Sequence, residues 1–155
     1  MKKNGFFKTV ILTGLFVGTT DLLYAFSAQF IGSGKFAGKM LNYIAGEAIG
    51  VPAALAGGNL AAFLGLFFHY FIAFSFTLLF FWLFPRLKFL HFNKYLVGML
   101  YAIFVNVFFE QVIIPLGHLG RFPFDVAHAY VNWVIFGVIF GLPIAYNAYK
   151  FYDIK

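Results

Sequence analysis

The residues from Leu60 to Phe84 read LAAFLGLFFHYFIAFSFTLLFFWLF and contain no Lys, Arg, Asp or Glu. A helix needs about 20 mostly apolar residues to cross roughly 30 Å of hydrocarbon, and this stretch exceeds that length. We therefore predict a membrane-spanning helix here, and we apply the same criterion on both sides of it.

Three more apolar runs of similar length are present, and glycine- and proline-containing breaks separate the runs. The breaks are the pair Gly57-Gly58, Pro85 and the stretch 117–123. Four crossings use up a chain of 155 residues. We therefore predict an all-α membrane protein, one transmembrane domain of residues 1–155 folded as a four-transmembrane-helix bundle. The predicted spans are 9–31, 60–84, 95–116 and 127–149.

The composition supports a lipid environment and excludes several classes of protein. Hydrophobic residues make up 63% of the chain and charged residues 10%, whereas a soluble domain has about 25% charged residues. The net charge is +6, but the basic residues are scattered singly, which is not typical of a nucleic-acid-binding surface. The absence of cysteine excludes disulfides, thiol redox chemistry and thiolate-held metal centres.

The distribution of basic residues predicts the orientation of the bundle. With the four spans in place, 8 Lys and Arg residues fall on the side of the termini and 3 on the other. The positive-inside rule then places both termini in the cytoplasm. The first group is Lys2, Lys3, Lys8, Arg86, Lys88, Lys94, Lys150 and Lys155, and the second is Lys35, Lys39 and Arg121.

The first apolar run has an alternative interpretation as a cleaved signal peptide. Basic residues precede the run, and Ala25-Phe26-Ser27 resembles a cleavage site. However, Asp21 stands where a signal peptide should be apolar, and the run is long for a signal sequence. We favour a retained first span.

The connection between the first two spans predicts an amphipathic interfacial helix over about 35–48. At 100° per residue its polar and apolar residues separate onto two sides, as in a helix lying on the outer membrane surface. Glu47 falls in the apolar sector and is expected to point toward the bundle. The alternative is a helix that frays into a loop near Gly46 and Gly50. The polar side carries Lys35, Lys39, Asn42 and Gly46, and the apolar side Phe36, Met40, Tyr43, Ile44 and Ala48.

Polar side chains inside the predicted spans are the candidate functional residues, because burying them in lipid is costly. A rise of 1.5 Å per residue places all of them in the outer half of the bundle. The inner half carries no acid and no histidine. The depths below the outer end are roughly 15 Å for Asp21 and Asn106, 14 Å for His69, 9 Å for Glu110 and 8 Å for Asn132.

These depths overlap, and the spacings place the residues on shared helix faces. Asn106 and Glu110 are four positions apart, and Asp125, His128 and Asn132 follow one face of the last span. We therefore predict a polar cavity in the outer half that binds a small polar ligand, a metal ion or a proton. Below it we expect a dry plug of Phe74, Phe76, Phe80, Phe81, Trp82 and Phe84.

The predicted ligand-binding residues are Asp21, His69, Asn106, Glu110 and Asn132, with Glu47, Asp125 and His128 as possible rim residues. A structural interpretation stands beside this one. Asp21 and His69 can pair across the first two spans simply to hold them together.

The sequence allows a metal site, because His69, Glu110, Asp21 and His128 are suitable ligand types. No motif fixes a metal geometry, and His69 and His128 differ in depth by roughly 12 Å, which disfavours a bis-histidine haem. Signatures of serine hydrolases, P-loops and dinucleotide-binding folds are absent. The sequence therefore names no cofactor.

Small residues and one proline are expected to shape the packing. Gly14 with Gly18, and Gly137 with Gly141, have the spacing that allows close helix approach, within the bundle or between copies of the chain. Pro143 is expected to kink the inner end of the last span.

Several short motifs resemble a family of bacterial inner-membrane proteins of the YagU kind. They are Ala56-Gly57-Gly58, Leu64-Gly65-Leu66 with His69, Pro85-Arg86-Leu87 and Ile114-Pro115-Leu116, with Asp21 after Gly18. The resemblance implies a four-span membrane protein and no particular activity, because the family has no settled one. In that family a histidine stands five residues before the Pro-Leu pair, where this chain has Glu110.

Three functions remain open at this stage. The favoured one is a non-enzymatic binding protein, either a transporter or an accessory subunit. The second is a membrane-embedded enzyme on a lipid or isoprenoid substrate, with Glu110 or Asp21 as general base. The third is a structural partner of another membrane protein or of a second copy. The expected surroundings are the lipid bilayer, without nucleic acid.

Overall fold

The computed structural model describes residues 3–34, 38–118 and 126–154. All regular structure in these ranges is helical. The α-helices are α1 (Lys3–Ser33), α2 (Met40–Ile49), α3 (Val51–Ala56), α4 (Gly58–Leu83), α5 (Lys94–Phe108), α6 (Ile114–Leu116), α7 (Val126–Phe136) and α8 (Leu142–Tyr152), and a 3-10 helix, Lys88–His91, lies between α4 and α5. A π-helical segment, Phe109–Ile113, joins α5 to α6, and a second one, Gly137–Gly141, joins α7 to α8.

Four helical stretches are long and apolar enough to cross a membrane, which confirms the predicted number of spans. They are Gly5–Ser33, Gly58–Leu83, Lys94–Leu116 and Tyr130–Tyr152. Large apolar side chains such as Phe63 and Phe67 point outward from them. An outer surface of this kind is compatible with an integral membrane protein, because lipid rather than water is the solvent that it matches.

Glycines bring α1 and α4 into close contact. A Cβ at Gly18 would lie 3.0 Å from the ring of Tyr70 and 3.2 Å from Ala73, and a Cβ at Gly14 would overlap the ring of Phe74. The first predicted glycine pair therefore packs within the bundle.

The second predicted glycine pair also packs within the bundle. Gly98 on α5 crosses Gly141, and a Cβ at Gly98 would lie 2.9 Å from the Gly141 carbonyl oxygen. One turn earlier, Gly137 faces the thioether of Met99. Backbones that approach this closely tolerate no side chain at the crossing.

Both π-helical segments end two residues before a proline. Pro143 has no N–H, so it cannot donate to the carbonyl of Ile139 one turn earlier. The hydroxyl of Thr20 on α1 lies 3.1 Å from this carbonyl oxygen and can donate to it. A π-helical segment thus lies on the N-terminal side of Pro143, and a kink at this proline stays a prediction. Pro115 follows the other segment at the same distance.

One end of the bundle gathers both ends of the described chain and the turn between α4 and α5; we call it the terminal end. Its core is aromatic, with Phe80, Phe81 and Phe84 almost fully buried. The hydroxyl of Tyr152 donates to the carbonyl of Phe81 at 2.9 Å, which fixes α8 against α4. This core matches the predicted plug except for Phe74, which is half-buried and lies against Gly14 of α1, and Trp82. Trp82 is 51% exposed because it lies on the outward side of α4.

The opposite end, which we call the hairpin end, carries α2 and α3 folded back on each other at Gly50. Gly50 has φ +84°, a conformation that favours glycine. Asn42 clamps the hairpin, since its side-chain amide donates to the carbonyls of Ala54 at 2.9 Å and Gly58 at 2.8 Å. A Cβ at Gly65 of α4 would overlap the Leu41 carbonyl oxygen, so α2 and α4 touch through their backbones.

The structure corrects the predicted interfacial helix in two respects. The helix begins at Met40 rather than near residue 35, and residues 35–37 lie outside the described ranges. Asn42 and Gly46, predicted on the water-facing side, are buried, because Asn42 clamps the hairpin and Gly46 lies against Val51. The alternative of fraying at Gly46 is wrong, since the helix continues to Ile49. That α2 lies on a membrane surface stays a prediction.

Candidate functional site: a polar cavity at the hairpin end

A cavity of about 330 Å³ lies between the hairpin and the four spans. All five residues predicted to bind a ligand line it, although they come from four separate spans. Glu47, predicted as a possible rim residue, lines it from α2. Its polar lining consists of Asp21, Tyr24, Glu47, His69, Asn106, Glu110 and Asn132.

His69 reaches across the glycine contact between α1 and α4. Its Nε2 donates to the carbonyl oxygen of Gly18 at 2.8 Å. Because a carbonyl can only accept, Nε2 carries the hydrogen of this bond. The hydrogen bond that ties His69 to α1 therefore ends on the backbone and not on Asp21.

Asp21 lies close enough to His69 for the two to interact electrostatically. Within the described residues its carboxylate accepts no hydrogen bond, and no side-chain oxygen or nitrogen is both fully buried and unpartnered. The Asp21 carboxylate is therefore accessible from the cavity. The predicted structural pairing of Asp21 with His69 is therefore an electrostatic contact at the cavity wall and not a hydrogen bond.

A chain of hydrogen bonds orients Glu110. The side-chain amide of Asn106 donates to Glu110 Oε1 at 3.2 Å, and Trp133 Nε1 donates to Asn106 Oδ1 at 2.8 Å. The second bond fixes which end of the Asn106 amide faces Glu110. The predicted helical neighbours Asn106 and Glu110 thus meet, with Glu110 in the π-helical segment.

Tyr24 and Asn132 connect α1 to α7. The Tyr24 hydroxyl donates to Asn132 Oδ1 at 3.0 Å. This leaves the amide hydrogens of Asn132 among the few donors on the cavity wall.

Glu47 enters the cavity from the hairpin, outside the four spans. Its backbone carbonyl accepts from the backbone N–H of His118 at 2.9 Å and lies 3.2 Å from His118 Nδ1. These contacts hold the end of α2 against the end of the third span. Burial raises the pKa of the Glu47 carboxyl above its ordinary value of 4.5, because desolvation disfavours the charged form.

Aromatic rings form much of the remaining wall. Phe76, on α4, is buried and lies toward the aromatic core of the terminal end. Phe136 and Phe140 stack with ring centroids 4.5 Å apart and an interplanar angle of 13°. The apolar lining consists of Leu22, Ala25, Ile44, Ile72, Ala73, Phe76, Val105, Phe109, Ile114, Phe136 and Phe140.

Two of the predicted rim residues cannot be placed. Asp125 lies outside the described ranges, and His128 belongs to α7 without a described side chain. Among the described side chains, no group of three or more His, Asp or Glu residues is close enough to hold a metal ion. The metal candidates His69, Glu110 and Asp21 therefore do not form a metal centre by themselves.

Sequence reasoning missed the residues that orient the predicted ones. Tyr24 and Trp133 are amphipathic aromatic residues inside apolar spans, and a buried hydroxyl or indole N–H needs a partner. This need for a hydrogen-bond acceptor is the sequence signal from which Tyr24 and Trp133 could have been identified. Comparison with known proteins gives no family, because no family model, no curated protein and no solved structure matches the chain.

Proposed function

We propose that this chain is a multi-pass protein of a bacterial inner membrane that binds a small polar ligand in the cavity, as a transporter or an accessory subunit. Both termini are cytoplasmic in this proposal, so the hairpin end faces outward. The resemblance to the YagU-like family belongs to the same proposal and adds no activity to it.

The observation that carries the proposal is the convergence of Asp21, His69, Asn106, Glu110 and Asn132 on one cavity. Polar and ionisable groups in a membrane-spanning segment are expensive, and they commonly mark a ligand or ion pathway. A purely structural polar cluster would satisfy its own hydrogen bonds. Here the Asp21 carboxylate and the Nδ1 atom of His69 have no hydrogen-bond partner among the described residues, as expected for groups that await a ligand.

The absence of cysteine permits a direct test of access to the cavity. We would introduce Ala25→Cys, which lines the cavity, and the matched variant Leu23→Cys, whose position on the same helix is 60% exposed on the outer surface. A membrane-impermeant thiol reagent is then added to either side of the membrane.

The proposal expects Ala25→Cys to react from the outside only, and Leu23→Cys to stay unreacted because it faces lipid. A Lys8→Cys variant at the terminal end reports the opposite side. If the Ala25→Cys thiol reacts from neither side, the cavity is closed to water and the polar cluster is structural. If it reacts only from the inside, the proposed orientation is wrong.

Binding itself is measured by thermal unfolding in the presence of a panel of small cations, zwitterions, sugars and anions. A ligand at about 100 times its Kd stabilises the folded state by about 2.7 kcal/mol. Asp21→Asn and His69→Ala should remove that stabilisation, whereas Asp153→Asn, at the terminal end, should keep it. If no solute stabilises the protein, or if all variants respond equally, the binding function is refuted.

A further inference from the structure

The cavity is acidic on its described walls. Three of the chain's five Asp and Glu residues line it, namely Asp21, Glu47 and Glu110. No Lys or Arg is among the lining residues that the structure describes. His69 lies beside Asp21, but no described basic side chain among the lining residues accompanies Glu47 or Glu110. A carboxylate without a basic partner is costly to bury. A positively charged ligand would lower this cost, and an anion would raise it.

The hydrogen-bonding groups point to the same kind of ligand, independently of net charge. Among the described residues, the Asp21 carboxylate accepts no hydrogen bond, and the second oxygen of Glu110 is free because only Oε1 is engaged. The donors are mostly in use, since the Tyr24 hydroxyl binds Asn132 and His69 Nε2 binds Gly18. A wall with more free acceptors than donors is complementary to a ligand rich in N–H groups.

The aromatic part of the wall indicates that the ligand also has an apolar portion. Phe76, Phe109, Phe136 and Phe140 line the cavity together with its polar groups. Aromatic faces attract cations held over them and pack against apolar groups. A bare metal ion has no apolar group to pack against these rings, and the described side chains offer no three-residue metal site.

We infer that the ligand of this cavity is a small organic ammonium cation with an aromatic or aliphatic group, its nitrogen near Asp21 and Glu110 and its apolar group against Phe136 and Phe140. This inference rests on the proposed function and specifies the class of molecule bound. Asp21 and Glu110 supply the counter-charge, and the stacked rings supply the apolar surface.

Three probes of nearly the same shape test the inference: 2-phenylethylammonium, 2-phenylethanol and phenylacetate. They differ in charge, being cationic, neutral and anionic at pH 7. Binding to the full-length protein in detergent is measured by titration calorimetry, with empty micelles as the blank. We expect the cation to bind at least about tenfold more tightly than the alcohol, and phenylacetate not to bind.

Two matched variants locate the binding. Asp21→Asn should lower the preference for the cation over the alcohol by about tenfold, and Asp153→Asn should leave it unchanged. Phe136→Leu should weaken both probes, whereas Phe71→Leu, on the outward side of α4, should weaken neither. The comparison of probes on the unsubstituted protein decides the matter even if a variant fails to fold.

Equal binding of the cation and the alcohol, tighter binding of phenylacetate, or no binding of any probe overturns the inference. The proposed function survives these results if Ala25→Cys reacts from the outside and another solute class stabilises the protein. It fails together with the inference if that thiol is inaccessible from both sides.

Discussion

Replacing Gly65 by alanine should separate the hairpin from the bundle. Gly65 lies where α2 crosses α4, and a Cβ there would overlap the carbonyl oxygen of Leu41 and lie 2.8 Å from its carbonyl carbon and 3.1 Å from the nitrogen of Ala45. These are backbone atoms, which cannot rotate away as a side chain can. The whole of α2, including Glu47, has to withdraw by about 1 Å to admit the methyl group.

The size of the effect follows from two opposing contributions. Overpacking against a rigid neighbour costs about 1–3 kcal/mol, and the upper part of that range applies because backbone is displaced. Exchanging glycine for alanine within a helix returns about 1 kcal/mol. The expected net loss is about 2 kcal/mol, which corresponds to a fall of roughly 4–8 °C in the unfolding temperature for a chain of this size.

The matched control is Gly32→Ala. Gly32 also lies in a helix, but a Cβ there meets nothing within 4 Å. This variant should be neutral or more stable by up to about 1 kcal/mol. Both variants are purified in one detergent, and thermal unfolding is followed by tryptophan fluorescence.

The two substitutions therefore have opposite expected signs. If Gly65→Ala unfolds at the same temperature as the unsubstituted protein or higher, α2 does not contact α4 through its backbone at this position. The assignment of Glu47 to the cavity wall would then fail with it.

Two further predictions concern the cavity. Burial raises the pKa of Glu47 above 4.5, so the folded state holds this proton more tightly than the unfolded state, and the proton's contribution to stability is full below pH 4.5 and is lost as the pH rises through the raised pKa. The difference in unfolding temperature between the unsubstituted protein and Glu47→Gln should therefore change over this pH range. A difference that is independent of pH would contradict the prediction. Asn106→Leu removes the hydrogen bonds to Glu110 and Trp133, which should lower the free energy of unfolding by about 1 kcal/mol. In a Trp82→Phe background, the substitution should also shift the fluorescence emission of Trp133. Unchanged emission would show that the indole does not bond to Asn106.

The spans and the position of the polar residues were accessible from the sequence for simple physical reasons. Hydrocarbon thickness fixes the length of an apolar run, and the helical rise converts residue number into depth. Asp21, His69 and Glu110 could therefore be assigned to one half of the bundle before their neighbours were known. Their convergence also required the helix faces to turn toward each other, which burial of charge enforces in lipid.

The hairpin and the π-helical segments were not accessible in the same way. Helical periodicity places Asn42 on the water-facing side because it separates polar from apolar positions only. It does not reveal that the carbonyls of Ala54 and Gly58 accept hydrogen bonds from the Asn42 amide. The close contact at Gly65 depends on two helices distant in sequence. Pro115 is a local sequence signal for the first wide turn. In the second, the Ile139 carbonyl is hydrogen-bonded by the hydroxyl of Thr20, which is 119 positions away along the chain.

The two wide turns control the rotation of the outer parts of their helices. A hydrogen bond from residue i to i+5 inserts one residue into a turn, which rotates everything beyond it by about 100° relative to an uninterrupted helix. Tyr101 and Ile144, on the regular parts, face the aromatic core, while Glu110, within the first wide turn, and Asn132, on the outer side of the second, face the cavity. Deleting one residue from either turn would rotate the cavity-lining part of that helix away from the cavity, while the part that packs in the aromatic core would keep its orientation.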